Sequence, residues 1–306
     1  MIPAPIGGYD EFSLFEENAS EAGLPYEGPP VVRRQFVEVE PDRALSGLVW
    51  GTEPPELVLL HGGGQNAHTW DTVALALARP LTALDLPGHG HSGWPGDARA
   101  LDRAAMAQDV AVAIQQLAPA ARLVAGMSLG GSVSIALATA RPDLVAKLVL
   151  VDVTPGVNSK KSSDIAAFLA GPAAFASFNE ILDRTIQYNP GRSVSSLRRG
   201  VLHNAVQRDD GSWTWRHQLG REAGAAGLPV EAADFASQWD DLEAIAVPVL
   251  LVRGGRSPVV DDTDEAEFRR RRPHDRVVTV GDAGHSIQGD QPLVLAQILA
   301  EYLDED

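Results

Sequence analysis

Short apolar runs and longer alanine-rich stretches alternate along most of the chain. Runs such as ELVLLHG, LTALDLPG, RLVAGMS and KLVLVDV are continuously apolar rather than alternating, which is typical of strands buried on both faces of a parallel sheet. The stretches between them have helical character and suit crossover connections. The same pattern returns in PVLLVRGG, DRVVTVGDAGH and a final helix from about Pro292 to Leu303. The sequence therefore predicts an α/β fold with a mostly parallel central sheet and helices on both faces.

Two segments depart from this pattern. Residues 1–30 are rich in Pro, Gly and Glu, and we expect an irregular lead-in there, followed by the strands VVRRQFVEVE and RALSGLVW. Residues 154–241 are polar and helical, and they lie between two core strands. We predict that 31–153 and 242–306 form the core and that 154–241 is an inserted helical cap over the carboxyl edge of the sheet, where ligands bind in such folds. The alternative is a helical layer without a role in binding.

Composition and charge narrow the class of protein. The chain has 306 residues, 44% of them hydrophobic, enough for one large core with an insertion. A net charge of −16 argues against nucleic acid or an anionic membrane as the main partner. The absence of cysteine excludes disulfides, thiolate metal sites and cysteine nucleophiles. No signal peptide is recognisable, and no apolar run reaches the roughly 20 residues of a membrane span, so we expect a soluble cytoplasmic protein.

A serine between two glycines is the first sign of catalytic chemistry. Residues Gly126 to Gly130 read G-x-S-x-G, and they join an apolar run to an alanine-rich helix. A sharp strand-to-helix turn of this kind lifts the hydroxyl of Ser128 above the sheet, and glycines on either side avoid a collision. The turn also leaves the backbone N–H of Leu129 at a helix N-terminus, where it stabilises an anion.

A serine nucleophile needs a base to take its proton. His285, in VVTVGDAGHSIQGDQP, lies after the last strand and before the last helix, as the chain order Ser, acid, His requires. His89 and His91 are rivals, but they precede the serine and lie in a glycine-bounded turn. We therefore predict that His285 is the base.

The glycine-rich stretch LLHGGGQNAHTW supplies a third part. Glycines after a strand allow backbone N–H groups to turn towards a ligand oxygen, and we expect Gly63 to form an oxyanion hole with Leu129. A phosphate-binding loop is excluded because no Lys-Ser or Lys-Thr follows. His61 is expected to brace the loop, and the turn around Asp85 to be structural.

Four motifs in this order resemble those of the α/β-hydrolase fold enzymes. They are HGGG at 61–64, DLPGHGHS at 85–92, GMSLGG at 126–131 and GDAGHS at 281–286. The resemblance covers roughly residues 31–153 and 242–303 and implies a serine hydrolase without metal or other cofactor. In most of that family the triad acid follows the penultimate strand, where this chain has Ser257.

The position of the acid therefore has alternatives. Asp152 ends the strand after the nucleophile helix, and this resembles some branches of the family, such as certain haloalkane dehalogenases, which carry the acid there. A carboxylate that ends a buried run also needs a partner such as a histidine N–H. Asp261 or Asp262 could instead reach back, although both suit the start of a helix. A third possibility is that no acid acts. We favour Asp152.

The prediction is a serine hydrolase that cleaves an ester or related acyl bond of a small molecule through an acyl-enzyme. Cofactor-free haloperoxidases, which make peracids, and carbon–carbon hydrolases share this core and are alternatives. A non-catalytic small-molecule-binding relative is an alternative of another class, because Ser257 stands in the usual acid position. Trp70, Trp213 and Trp215 are candidates to line a pocket or to pack in a core. The substrate and the oligomeric state are not predictable from these motifs.

Overall fold

The computed structural model describes residues 9–96, 102–157, 160–218 and 238–305. In these ranges the strands are β1 (Val32–Glu40), β2 (Arg43–Trp50), β3 (Leu57–Leu60), β4 (Leu81–Leu84), β5 (Leu123–Met127), β6 (Lys147–Val151), β7 (Ala205–Gln207), β8 (Trp213–Trp215), β9 (Val249–Gly254) and β10 (Arg276–Val280). Eight of them form one sheet in the order β1-β2-β4-β3-β5-β6-β9-β10. Its two antiparallel pairings are β1 with β2 and β2 with β4, and the other neighbours are parallel.

Helices cover both faces of this sheet. They are α1 (Phe15–Ala22), α2 (Asp71–Leu77), α3 (Arg103–Leu117), α4 (Leu129–Ala140), α5 (Ser163–Leu169), α6 (Phe178–Tyr188), α7 (Val194–Asn204), α8 (Gln238–Ala244), α9 (Asp262–Arg271), α10 (Ile287–Asp290) and α11 (Pro292–Asp304). Along β6, Leu148 and Leu150 join the cluster that includes α3, α4 and α8, while Val149 and Val151 join the cluster that includes α2 and α11. Both faces of the strand are buried, which explains the continuous apolar runs.

Residues 9–30, the described part of the predicted lead-in, are more ordered than the sequence predicts. Instead of a wholly irregular lead-in, they contain helix α1, which buries Phe15 and Ala19. The ring of Phe15 lies 5.0 Å from that of Trp50 on β2. Gly23 ends the helix in the left-handed conformation, as glycine commonly does at a helix terminus. The composition, rich in Pro, Gly and Glu, therefore does not predict this short helix, because tertiary packing stabilises it.

The described part of the predicted cap contains α5, α6, α7 and a hairpin of β7 and β8. Its small core includes Phe175, Ile181, Val201 and Trp213. The stretch GSWTWRH forms part of the hairpin rather than a helix. Helix α8 crosses the predicted boundary at residue 242 and packs into the main core. Residues 219–237 lie outside the described residues, and the extent of the cap stays a prediction.

Candidate active site

Ser128 occupies a sharp turn between β5 and α4. Its backbone has φ +51° and ψ −115°, a conformation that costs a non-glycine residue on the order of 1–3 kcal/mol. The surrounding structure holds this turn, because the Ser128 N–H donates to the Val151 carbonyl and the Gly130 N–H donates to the His61 carbonyl. The serine is thereby fixed at the carboxyl end of β5, beside the end of β3.

The two glycines of this turn lie where no side chain fits. A Cβ on Gly126 would be 2.4 Å from the Gly130 carbonyl oxygen, and a Cβ on Gly130 would be 2.4 Å from the carbonyl oxygen of Leu60. Both obstacles are backbone atoms, which no rotamer change removes. The G-x-S-x-G spacing is therefore required by the close passage of α4 past β3 and β5.

His285 and Asp152 lie in direct contact at the same edge of the sheet. The Nδ1 atom of His285 is 2.7 Å from Oδ2 of Asp152, and the carboxylate is fully buried. Because the carboxylate oxygen is the acceptor, Nδ1 carries the ring proton and donates this bond, which leaves Nε2 as an acceptor. Asp152 directly follows β6 and takes φ +49°. Its N–H donates to the carbonyl of Val252 on β9.

Ser257 is a hydrogen-bond partner of this carboxylate. Its Oγ donates to Oδ2 of Asp152 at 2.5 Å, while the Gly254 N–H donates to Oδ1 at 2.8 Å. The N–H of Val259 in turn donates to the Ser257 hydroxyl at 3.1 Å. The buried acid thus accepts bonds from a histidine, a hydroxyl and a backbone amide, and both of its oxygens are satisfied.

The two alternative acids point elsewhere. Asp261 caps α9 by accepting from the N–H groups of Thr263 and Asp264, as part of a reciprocal capping box. Asp262 is almost wholly exposed and pairs with Arg253. Of the three candidate acids, Asp152 is the one that hydrogen-bonds His285. Nothing in the sequence indicates that the Ser257 hydroxyl is a partner of Asp152. From the sequence alone, a serine at position 257 signals only the absence of an acid there.

The HGGG loop is braced as its sequence suggests. The Leu86 N–H donates to Nε2 of His61, so Nδ1 carries the proton and donates to the Gly62 carbonyl. Burial lowers the pKa of His61, consistent with this neutral form. The side-chain oxygen of Gln65 accepts from the N–H of Gly62 at 3.1 Å. A Cβ on Gly62 would lie 3.4 Å from that of Ser128, so the loop runs beside the serine.

Asp85 and His89 have structural partners in the turn at 85–92. Asp85 is buried and accepts from the N–H of Ala67 and from Arg34. His89 is buried with its Nδ1 on the Pro87 carbonyl, and burial lowers its pKa. A separate group of His68, Asp71 and His203 has donor atoms suited to a metal ion.

Residues from the inserted segment cover the glycine loop. A Cβ on Gly64 would lie 2.7 Å from Leu169 at the end of α5 and 3.4 Å from the ring of His217. His217 stacks on Trp215 with ring centroids 5.9 Å apart. Of the other two tryptophans considered above, Trp70 is buried in the main core and Trp213 in the small core of the insertion. No motif in the sequence indicated Leu169 or His217.

Comparison with known proteins identifies the fold. The model of the alpha/beta hydrolase family matches residues 57–298. The chain belongs to this family. An esterase of Mycobacterium tuberculosis strain H37Rv, Rv0045c, is 45% identical over 98% of this chain and 97% of its own length. A solved structure of that esterase, from work on its inhibition by transition metals, has a TM-score of 0.84 with 44% identity and covers 97% of this chain and 100% of the other.

Two more distant relatives are a hydrolase and a lipase. The 3-hydroxybutyrate-oligomer hydrolase of Cupriavidus necator is 32% identical over 78% of this chain and 85% of its own length. The sn-1-specific diacylglycerol lipase ABHD11 of Mus musculus is 29% identical, with 81% of each chain covered. None of the helices in the described residues combines the length and apolar character needed to cross a bilayer.

Proposed function

We propose that this protein is a serine-dependent hydrolase that cleaves an ester or related acyl bond of a small molecule. The observation that carries the proposal is the 2.7 Å contact between His285 and the buried carboxylate of Asp152, at the sheet edge where Ser128 stands on its strained turn. The 45% identity to an esterase over nearly the whole chain supports the ester bond as the target. The family membership supports the serine mechanism.

In the first step the hydroxyl of Ser128 attacks the substrate carbonyl carbon while Nε2 of His285 takes its proton. Asp152 holds the imidazole in the tautomer that presents a bare Nε2, and it stabilises the imidazolium that forms. The bonds that Asp152 accepts from Ser257 and Gly254 fix its orientation before substrate arrives.

The developing oxyanion needs donors that are already in place. We assign this role to the backbone N–H groups of Gly63 and Leu129. Leu129 is the first residue of α4, so its N–H has no partner inside the helix. The neighbouring N–H of Gly62 is already used by Gln65, which leaves Gly63 as the next donor in the loop. Each such donor is worth about 10²- to 10³-fold in rate.

The tetrahedral intermediate then collapses to an acyl-enzyme. The bond to the leaving alcohol breaks as His285 returns its proton to that oxygen. A water molecule, deprotonated by His285, attacks the acyl-serine, and a second collapse releases the acid and restores Ser128. The chemistry uses only groups of this chain and water. The cytoplasmic location expected from the sequence stays a prediction.

A fluorophosphonate probe tests the nucleophile directly. We expect near-stoichiometric labelling of the purified protein, located at Ser128 by intact mass and peptide mapping. The variant Ser128→Ala should lose both labelling and hydrolysis of p-nitrophenyl esters. The control variant Ser132→Ala keeps Ser128 and should be labelled as the parent is. A folded protein that takes up no label over hours contradicts the proposal and favours a non-catalytic ligand-binding relative.

A second assay separates ester hydrolysis from the alternatives that share the site. With acetate and hydrogen peroxide, a perhydrolase gives a steady yield of peracid, and a carbon–carbon hydrolase turns over a dienone acid. We expect ester hydrolysis to exceed both rates. A higher rate in either of the other assays would be compatible with Ser128 as the nucleophile but would contradict ester hydrolysis as the main reaction.

A further inference from the structure

Two histidines and an aspartate converge at a buried place outside the proposed triad. His68 lies in the short 3₁₀ helix Ala67–Trp70, Asp71 begins α2, and His203 lies near the end of α7. Their side chains are 3%, 3% and 4% exposed. One ligand atom from each lies within 4.8 Å of the others. The cluster joins the core to the inserted segment, because α7 belongs to that segment.

The distances suit a small divalent cation. Nδ1 of His68 is 2.9 Å from Oδ2 of Asp71, and Nε2 of His203 is 3.7 Å from the same oxygen. Tetrahedral zinc with ligands at 2.0–2.1 Å places neighbouring donors roughly 3.3 Å apart. The imidazole rings stack with centroids 3.9 Å apart and planes 11° from parallel. Because an imidazole lone pair lies in the plane of its ring, one ring must turn out of this stack for both nitrogens to face one ion. His68 must also release the Nδ1 proton that it shares with Asp71.

Two buried polar atoms of the cluster lack a partner. Nε2 of His203 and Oδ1 of Asp71 form no hydrogen bond within the described residues. Buried polar atoms are nearly always satisfied, and an unpaired imidazole nitrogen beside a carboxylate is available as a metal ligand. This observation is independent of the distances between the three residues.

The ring nitrogens that face away from the cluster are already oriented. Nε2 of His68 is 3.0 Å from a carboxylate oxygen of Glu11, and Nδ1 of His203 is 2.5 Å from the hydroxyl of Tyr9. Metal-bound histidines nearly always have such outer partners, which fix the ring and its tautomer. Glu11 and Tyr9 thus complete the arrangement expected around a metal.

We propose that His68, Asp71 and His203 bind one Zn²⁺ or a similar divalent transition metal. Two imidazoles and a carboxylate suit zinc rather than the all-oxygen sets of Mg²⁺ and Ca²⁺. Water supplies the fourth ligand, and the ion fastens α7 to the residues that follow the HGGG loop. Two hydrogen bonds already run the same way: Asn66 donates to the His203 carbonyl, and Asn204 donates to the Gly64 carbonyl.

Titration of metal-depleted protein with ZnCl₂, followed by calorimetry and by thermal unfolding, tests the site. We expect one ion per chain and a rise in Tm of about 5 °C at a Zn²⁺ concentration 100 times Kd. His203→Gln should weaken binding more than 100-fold. His274→Gln, at an exposed histidine, and His285→Gln, in the proposed triad, should bind Zn²⁺ as the parent does.

Two results overturn the assignment: a parent protein with no Zn²⁺ binding tighter than millimolar, or a folded His203→Gln that binds with the parent's affinity. Should His203→Gln fail to fold, Tyr9→Phe decides, since it keeps all three ligands and removes only an outer partner. We expect about tenfold weaker binding for Tyr9→Phe. An unchanged Kd would contradict the site. The readouts are independent of activity, so the proposed hydrolase function stands or falls separately.

Discussion

Asp152 and Ser257 lie at the ends of neighbouring strands and are in direct contact. Strands β6 and β9 are parallel neighbours with Val151 opposite Val252, so residues that follow them meet at the same edge of the sheet. Asp152 ends one strand, and Ser257 follows the other. Because their side chains are only 2.5 Å apart, a carboxylate from either position lies within reach of His285. The hydroxyl at the other position then becomes its donor.

Exchange of the two residues tests this equivalence. We expect Asp152→Ser to lower kcat by about 10⁴-fold, the loss seen when a serine triad lacks its acid. The double variant Asp152→Ser/Ser257→Asp should have a kcat at least about tenfold above that of the single variant, because it restores one carboxylate and one hydroxyl at the same edge. The measurement is kcat on a p-nitrophenyl ester with active-site titration. A double variant no better than the single one would show that only position 152 orients His285.

At the scale of elements, the contact of α4 with β3 sets the limits of substitution. Gly130→Ala places a methyl group 2.4 Å from a backbone oxygen, and we expect the free energy of unfolding to fall by about 3 kcal/mol. Gly200→Ala in α7 is the matched control, because a Cβ there meets nothing within 4 Å. That control should be neutral or stabilising by about 0.5–1 kcal/mol. Urea unfolding of both variants measures the difference, and equal stabilities would refute the close-packing argument.

We expect the inserted segment to limit the room available to the acyl group. Leu169 at the end of α5 approaches Gly64 of the glycine loop, so its side chain limits the space next to the proposed oxyanion hole. We expect Leu169→Ala to raise kcat/KM for long-chain over short-chain p-nitrophenyl esters by about tenfold, since an added methylene in an apolar pocket is worth about 1–3 kcal/mol. Val194→Ala, at an exposed position of α7, should leave the ratio unchanged. An unaltered chain-length profile for Leu169→Ala would place the acyl group elsewhere.

At the scale of the whole molecule, the sequence predicts what local chemistry and strand periodicity dictate. The family and the α/β fold are confirmed. Both were predictable because burial of the strands on both faces requires continuous apolar runs, and the close packing around β5 requires the G-x-S-x-G turn. Contacts between segments far apart in the chain leave no local pattern in the sequence. Nothing near Ser257 signals its bond to Asp152, and His68 and His203 are separated by 135 positions. The catalytic roles of the individual residues stay predictions.

Asp85 links β1 to the residues that follow the glycine loop through one buried charge. Burial raises the pKa of this carboxyl, but Arg34 on β1 and backbone donors outweigh that effect and lower the pKa to about 2. A depressed pKa in the folded state stabilises the protein above the ordinary value near 3.8. That contribution, about 2 kcal/mol, is lost as pH falls from about 4 to 2.

Asp85→Asn should therefore destabilise the protein most at neutral pH. We expect a loss of about 2–3 kcal/mol at pH 7, because Arg34 loses one of its two carboxylate partners and keeps the other, Glu11. The difference from the parent should shrink by about 2 kcal/mol between pH 5 and pH 2, since the parent's own carboxyl becomes protonated there. Urea unfolding across this range measures it, with the exposed Asp209→Asn as control. A pH-independent difference would mean that Asp85 acts through hydrogen bonds that survive protonation rather than through its charge.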